Sequence, residues 1–282
     1  MPEESIRTVY LNTKHEDYRN FFSDDWGERI NRLTEHKPKL SELVFDLMMG
    51  WRAAAYTASQ PLSILDHMKA FHDAFVNTGQ INTTLLRLAE IIPGRLANDL
   101  PELTVDPTVV RRIREKLVDI GAEIENDRAE AQVEFPLEKT WESYLADDAF
   151  QLSLWGSQRI CYVSIYNSYE DFLVRAVSIG SGIDGLRTTE KHFKKTLVGT
   201  FGEQIRDKCW TDPQINIARL ARHAISHAGG RVTEALGKQN HGFVVRDGRI
   251  QIVPENTRAL FAMLRDAAFA LAESATEAEE FD

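Results

Sequence analysis

Two arginines, two histidines and a serine fall within nine residues, in the run Arg219-Leu220-Ala221-Arg222-His223-Ala224-Ile225-Ser226-His227. Imidazole titrates near neutral pH and can serve as general base or acid. Guanidinium stays protonated and forks onto the oxygens of a phosphate. Such groups suit attack of a hydroxyl on a phosphate ester: a base for the hydroxyl, an acid for the leaving oxygen, and fixed positive charge for the phosphorane between them. This chemistry requires no metal. His223 and His227 stand at i and i+4 and therefore share one helix side. His227 falls in the last turn, where the helix's free carbonyls favour imidazolium.

A helix must position these groups, and the sequence supplies one. At about 100° per residue, Ile217, Leu220, Ala221, Ala224, Ile225 and Ala228 gather on one side, which is the spacing of a face turned to a core. Arg219, Arg222, His223, Ser226 and His227 fill the other side, with Arg222 and His227 at its two borders. Asp212-Pro213 starts the helix as a cap followed by proline, and Gly229-Gly230 ends it.

Arg222-His223-x-x-x-His227 resembles the R-x4-6-H signature of the HEPN superfamily, whose catalytic members commonly follow the arginine with Asn, Asp or His. The resemblance covers roughly 140–275 and implies an all-helical domain that cleaves RNA without a metal. It also implies a homodimer whose two motifs line one cleft, leaving 2′,3′-cyclic phosphate ends. By this reading Arg222 binds the scissile phosphate, His227 handles the proton, and His223 polarises or positions. Ser226 and Arg219 support them. HEPN domains often carry an acidic residue on a helix facing the motif, and Glu170 is the matching position. A toxin or antiviral defence setting, with an inhibitory antitoxin or regulatory protein as partner, follows from the family alone. A second R-x4-H spacing, Arg187 to His192, straddles Thr188-Thr189-Glu190, which reads as a helix start.

Two other classes fit the same residues. A non-catalytic helical module could keep the motif for nucleotide or RNA contacts. A zinc hydrolase could use His223 and His227, but position 224 is alanine where such a motif carries glutamate, and no third ligand is evident. The structural alternative is a solvated polar helix face.

The rest of the chain reads as helices around this one. An all-α bundle is expected, with a small β-hairpin between the last two helices. Helical patterns cover about 18–34, 40–57, 62–77 and 80–98, and Leu43, Phe45, Met48, Met49, Trp51 and Ala55 make a wide apolar face on the second. Asp106-Pro107 caps a long helix whose Val110, Ile113, Leu117, Ile120 and Ile124 form a narrow seam. Gln132 to Pro136 breaks the pattern. This predicts an N-terminal domain over 1–135, the HEPN-like domain over 136–275 and an acidic tail over 276–282, with the acidic stretch from Glu273 to Asp282 expected to fray. Helix 137–179 carries a continuous stripe from Tyr162 to Val177, with Glu170 at its edge. Lys191, Lys194 and Lys195 form a basic cluster suited to RNA phosphates. Asp247-Gly248 between two β-prone runs predicts the hairpin.

Charge and cysteines bound the class. The net charge of −10 argues against indiscriminate nucleic-acid coating. Residues 181–272 nonetheless hold 14 Lys and Arg against 9 Asp and Glu, so an anion is better received there. Cys161 and Cys209 make neither a disulfide framework nor a metal spacing, which fits the cytoplasm. No apolar run reaches membrane-spanning length. No cofactor or metal is expected.

Overall fold

Local sequence rules account for where several of the helices begin, each on a side-chain cap. A computed structural model of the chain describes residues 25–77, 87, 88, 91, 106–130, 137–189 and 192–282. In chain order these residues form α1 (Trp26–Thr34), α2 (Pro38–Ser59), α3 (Ile64–Asn77), α4 (Pro107–Glu130), α5 (Leu137–Ala146) and α6 (Asp148–Ser181). There follow α7 (Phe193–Arg206), a π turn (Asp207–Thr211), α8 (Pro213–His227) and the short α9 (Glu234–Gly237). Strands β1 (Val244–Arg246) and β2 (Arg249–Gln251) precede α10 (Pro254–Thr276) and a final 3-10 turn (Glu279–Phe281). The fold is all-α, and its sheet among the described residues is one antiparallel hairpin pairing Val245 with Ile250. Asp247 and Gly248 both take positive φ, at 50° and 71°, as a type I′ turn requires.

The chain divides into two compact units, residues 1–63 with 142–282, and residues 64–141. In the first, α2 lies along α6, and α10 packs on α6 as well. Trp51 of α2 is fully buried and donates its indole N–H to the Ile165 carbonyl of α6 at 3.0 Å. Gly50 lets the two helices approach closely, since a Cβ there would collide with the Ser168 hydroxyl. An ion pair between Arg175 Nη1 and Asp46 Oδ2 at 2.6 Å ties the same helices at their rim. Trp26 to Ser63 therefore share a core with the motif-bearing helices.

The stripe expected on α6 is real. Tyr162, Ile165, Tyr166, Tyr169, Phe172, Leu173, Ala176 and Val177 are all buried. On α2 the wide apolar face is narrower than its composition: Leu43, Trp51 and Ala55 are buried, but Phe45 is 62% and Met49 47% exposed. Both lie outside the arc that α6 covers, because one helix neighbour buries only a stripe of its partner.

The tail corrects another expectation. The last residues do not fray: α10 runs to Thr276, and Phe281 is fully buried against Phe201. Lys37 Nζ holds the Ala278 carbonyl at 3.1 Å, and Lys39 Nζ holds that of Glu280 at 2.9 Å. Acidic composition conceals one apolar anchor and two lysine partners supplied from far away in sequence.

In the second unit, α4 starts on Asp106, which accepts the Thr108 N–H at 2.8 Å. Of its seam, Ile113 and Leu117 are half-buried and Ile120 is exposed. The side chains of Val110 and Ile124, the break at 132–136, and nearly all of the expected helix 80–98 lie outside the described residues. Among the described residues no helix is long and apolar enough to cross a membrane.

Candidate functional site

Helix α8 starts and stops where its sequence dictates. Asp212 accepts the N–H groups of Gln214 and Ile215, with Pro213 in the first turn. At the other end Gly230 donates to the Ala224 carbonyl at 2.8 Å, and Gly229 and Gly230 adopt φ of 61° and 83°. Ile215, Ile217, Ala218, Ala221 and Ala224 are buried, while Leu220 and Ile225 are only half-buried. The core face is rotated slightly from the expected one, because α8 is wedged between α6 and α10 rather than laid on a single neighbour.

The polar face splits into three parts. The first surrounds Arg222. Its Nη2 forms a close ion pair with Glu170 Oε2, and the two side chains are 21% and 17% exposed. Thr188 Oγ1 donates to the other Glu170 oxygen at 2.9 Å. The guanidinium lies over the Tyr166 ring at 5.4 Å. Arg222 Nε and the Tyr166 hydroxyl are both buried without a hydrogen-bond partner among the described residues. Burial raises the Tyr166 phenol above its ordinary range and the Glu170 charge adds to that, although Arg219 and Arg222 oppose it. Two unsatisfied polar groups beside a half-buried ion pair are unusual in a purely structural contact.

The second part is the histidine pair. His223 and His227 are exposed, with ring centroids 4.8 Å apart at 45°. Ser226 is exposed near them. His227 stands about 140° around the helix from Arg222, the consequence of a five-residue separation. The two groups of one chain thus open in different directions.

The third part lies one turn toward the helix start. Arg219 stacks on the Trp210 ring at 4.4 Å and donates to Asn216 Oδ1 at 2.6 Å. With Lys194, Thr211, Pro213 and Gln239 these residues line a cleft of about 480 Å³. Lys195 is exposed and outside that lining, and Lys191 lies outside the described residues.

Beneath the helix end sits Arg159 of α6. Its Nη2 reaches the Ile225 carbonyl at 3.4 Å, and its guanidinium covers the Trp155 ring at 4.2 Å. Burial, then the Arg249 charge, lower its affinity for its proton. A Cβ on Gly230 would stand 2.7 Å from Arg159 Nη2. The guanidinium could swing away, but a φ of 83° suits no side chain. Gly230→Ala should therefore destabilise the protein by about 1–2 kcal/mol, read as a lower urea midpoint at unchanged slope.

No family model, curated protein or solved structure matches this chain.

Of the residues that sequence singles out, the structure joins Glu170 to Arg222, His223 to His227, and Lys194 to Arg219. Tyr166, Thr188, Trp210, Asn216, Gln239 and Arg159 are additions that sequence does not assign to a site. Thr188 lies in the second R-x4-H spacing, in a turn before α7, and its contribution is a hydroxyl rather than part of a motif. Tyr166 is visible in the sequence only as a stripe residue. Nothing local marks Trp210. Among the described residues no three His, Cys, Asp or Glu side chains gather as a metal would need. Cys161 and Cys209 are buried free thiols, each pushed up to about 12 chiefly by desolvation.

Proposed function

We propose that this chain is a metal-independent endoribonuclease of the HEPN type. The observation that carries the reading is the division of labour on α8: an arginine oriented by a carboxylate on one side, and two exposed, adjacent imidazoles opening on another. Arg222 has donors beyond the one given to Glu170, and it would place them on the scissile phosphate. His227 would take the 2′-hydroxyl proton or return one to the leaving 5′-oxygen, and His223 would position it. Arg222 and His227 diverge around the helix, so a twofold-related copy would complete the cleft. The setting would be a reducing cytoplasm, with an inhibitory or regulatory protein controlling the activity.

RNA incubated with the full-length protein in excess EDTA should be cut, leaving 2′,3′-cyclic phosphate ends. His227→Ala should slow this by about 10²–10⁴-fold, the usual worth of a positioned acid or base. Equal cleavage by wild type and His227→Ala would remove the assignment.

One observation favours a second reading. Arg222 is already committed to Glu170 and its side chain is only 21% exposed, as in an arginine that holds a fold together. A non-catalytic helical module that binds nucleotide or RNA would show affinity without turnover in the same assay.

A further inference from the structure

The cleft at the start of α8 is chemically one-sided. Its described lining holds two cations, Lys194 and Arg219, two primary amides, Asn216 and Gln239, and no carboxylate, in a chain of net charge −10. Asn216 accepts from Arg219 through Oδ1, which leaves its amide N–H groups to donate. Thr211 gives its hydroxyl to Asp207 Oδ1 at 2.7 Å and Arg206 holds the same oxygen at 2.8 Å; that carboxylate lies outside the lining, with Arg206 as its direct partner and the Lys194 charge acting on it more weakly. Asp212 spends its carboxylate on the first N–H groups of α8, which removes the helix start as an anion site. Trp210 is 8% exposed, with Phe193 at its edge and Arg219 on its face. The ring therefore works as a shelf that fixes the guanidinium plane and spares it the entropy of being ordered on binding.

We propose that Arg219, Lys194, Asn216 and Gln239 form a phosphate-binding subsite, occupied by a backbone phosphate of an RNA strand lying along α8. Arg219 is one turn before Arg222, so a strand crossing the helix face meets the subsite and then the Arg222 cluster. The RNA assignment rests on the ribonuclease reading, whereas recognition of phosphate does not.

The test uses the full chain and three probes: inorganic phosphate, adenosine monophosphate, and a 2′-O-methyl oligonucleotide, which cannot be cut. Calorimetric titration at two salt concentrations is run on wild type, Lys194→Gln and Arg219→Gln. Lys194 is exposed, so its variant keeps the fold even if loss of the Trp210 stack loosens the other. Each variant should bind the oligonucleotide about tenfold more weakly, with the salt slope reduced by about one. Loss confined to inorganic phosphate and the mononucleotide would keep the phosphate site and assign it to a free ligand, overturning the strand. Unchanged binding of all three probes in both variants overturns the subsite, even if RNA is still cleaved. Absence of cleavage with variant-sensitive oligonucleotide binding would sink the ribonuclease reading and leave the subsite standing.

Discussion

Arg222→Ala should lower RNA cleavage in EDTA by about 10²–10³-fold, the worth of a group aimed at charge that develops in the transition state. Alanine also deserts Glu170, whose side chain is only 17% exposed and keeps just the Thr188 hydroxyl as partner. Some stability must go with the activity, on the order of 1–3 kcal/mol for a stranded polar group. Arg222→Lys separates the two effects. Lysine keeps the charge beside Glu170 but cannot fork onto phosphate, so the fold should hold while cleavage still falls by about 10²-fold. Glu170→Gln is the complement: it leaves the arginine in place but unneutralised, which should strengthen RNA binding while lowering kcat through misalignment. Were Arg222→Lys to melt and cleave as wild type does, Arg222 would be a structural residue only.

The largest loss of stability is expected from Trp51→Ala, at about 3–5 kcal/mol. Its ring is fully buried, 5.6 Å from Trp26 and 5.0 Å from Phe261, so truncation opens a cavity where α1, α2 and α10 meet. The indole N–H bond to Ile165 is lost as well, which cuts a direct link to α6. Trp51→Phe refills most of the space and should cost clearly less. Urea unfolding followed by far-ultraviolet dichroism measures both, and the drop should appear as a lower midpoint at unchanged slope. Cleavage activity should vanish in the transition that unfolds α2, because α2 and the motif helix share a core, whatever residues 64–141 do on their own. Cleavage that outlasts that transition in Trp51→Ala would overturn the shared core.

Elements with a local cause are legible in the sequence. The caps at Asp212 and Asp106, the Gly229-Gly230 stop, the Asp247-Gly248 turn and the buried stripe of α6 all follow from interactions a few residues apart. The facing carboxylate is legible too, as a border position on α6. Expectation fails where a partner distant in sequence decides burial. Phe45 and Met49 are exposed because α6 covers only one arc of α2. Phe281 is buried because Phe201, Lys37 and Lys39 come to it.

By itself, then, the sequence determined an all-helical chain, the amphipathic α8, and the row of guanidinium and imidazole groups on its outer face, since 3.6-residue periodicity and end signals act within a single helix. Tertiary structure alone decided which of those groups meet Glu170, which remain exposed, and that Arg219 lies on Trp210 beside Lys194. Those outcomes depend on how helices cross, and crossing is set by side chains from separate segments competing for the same buried volume.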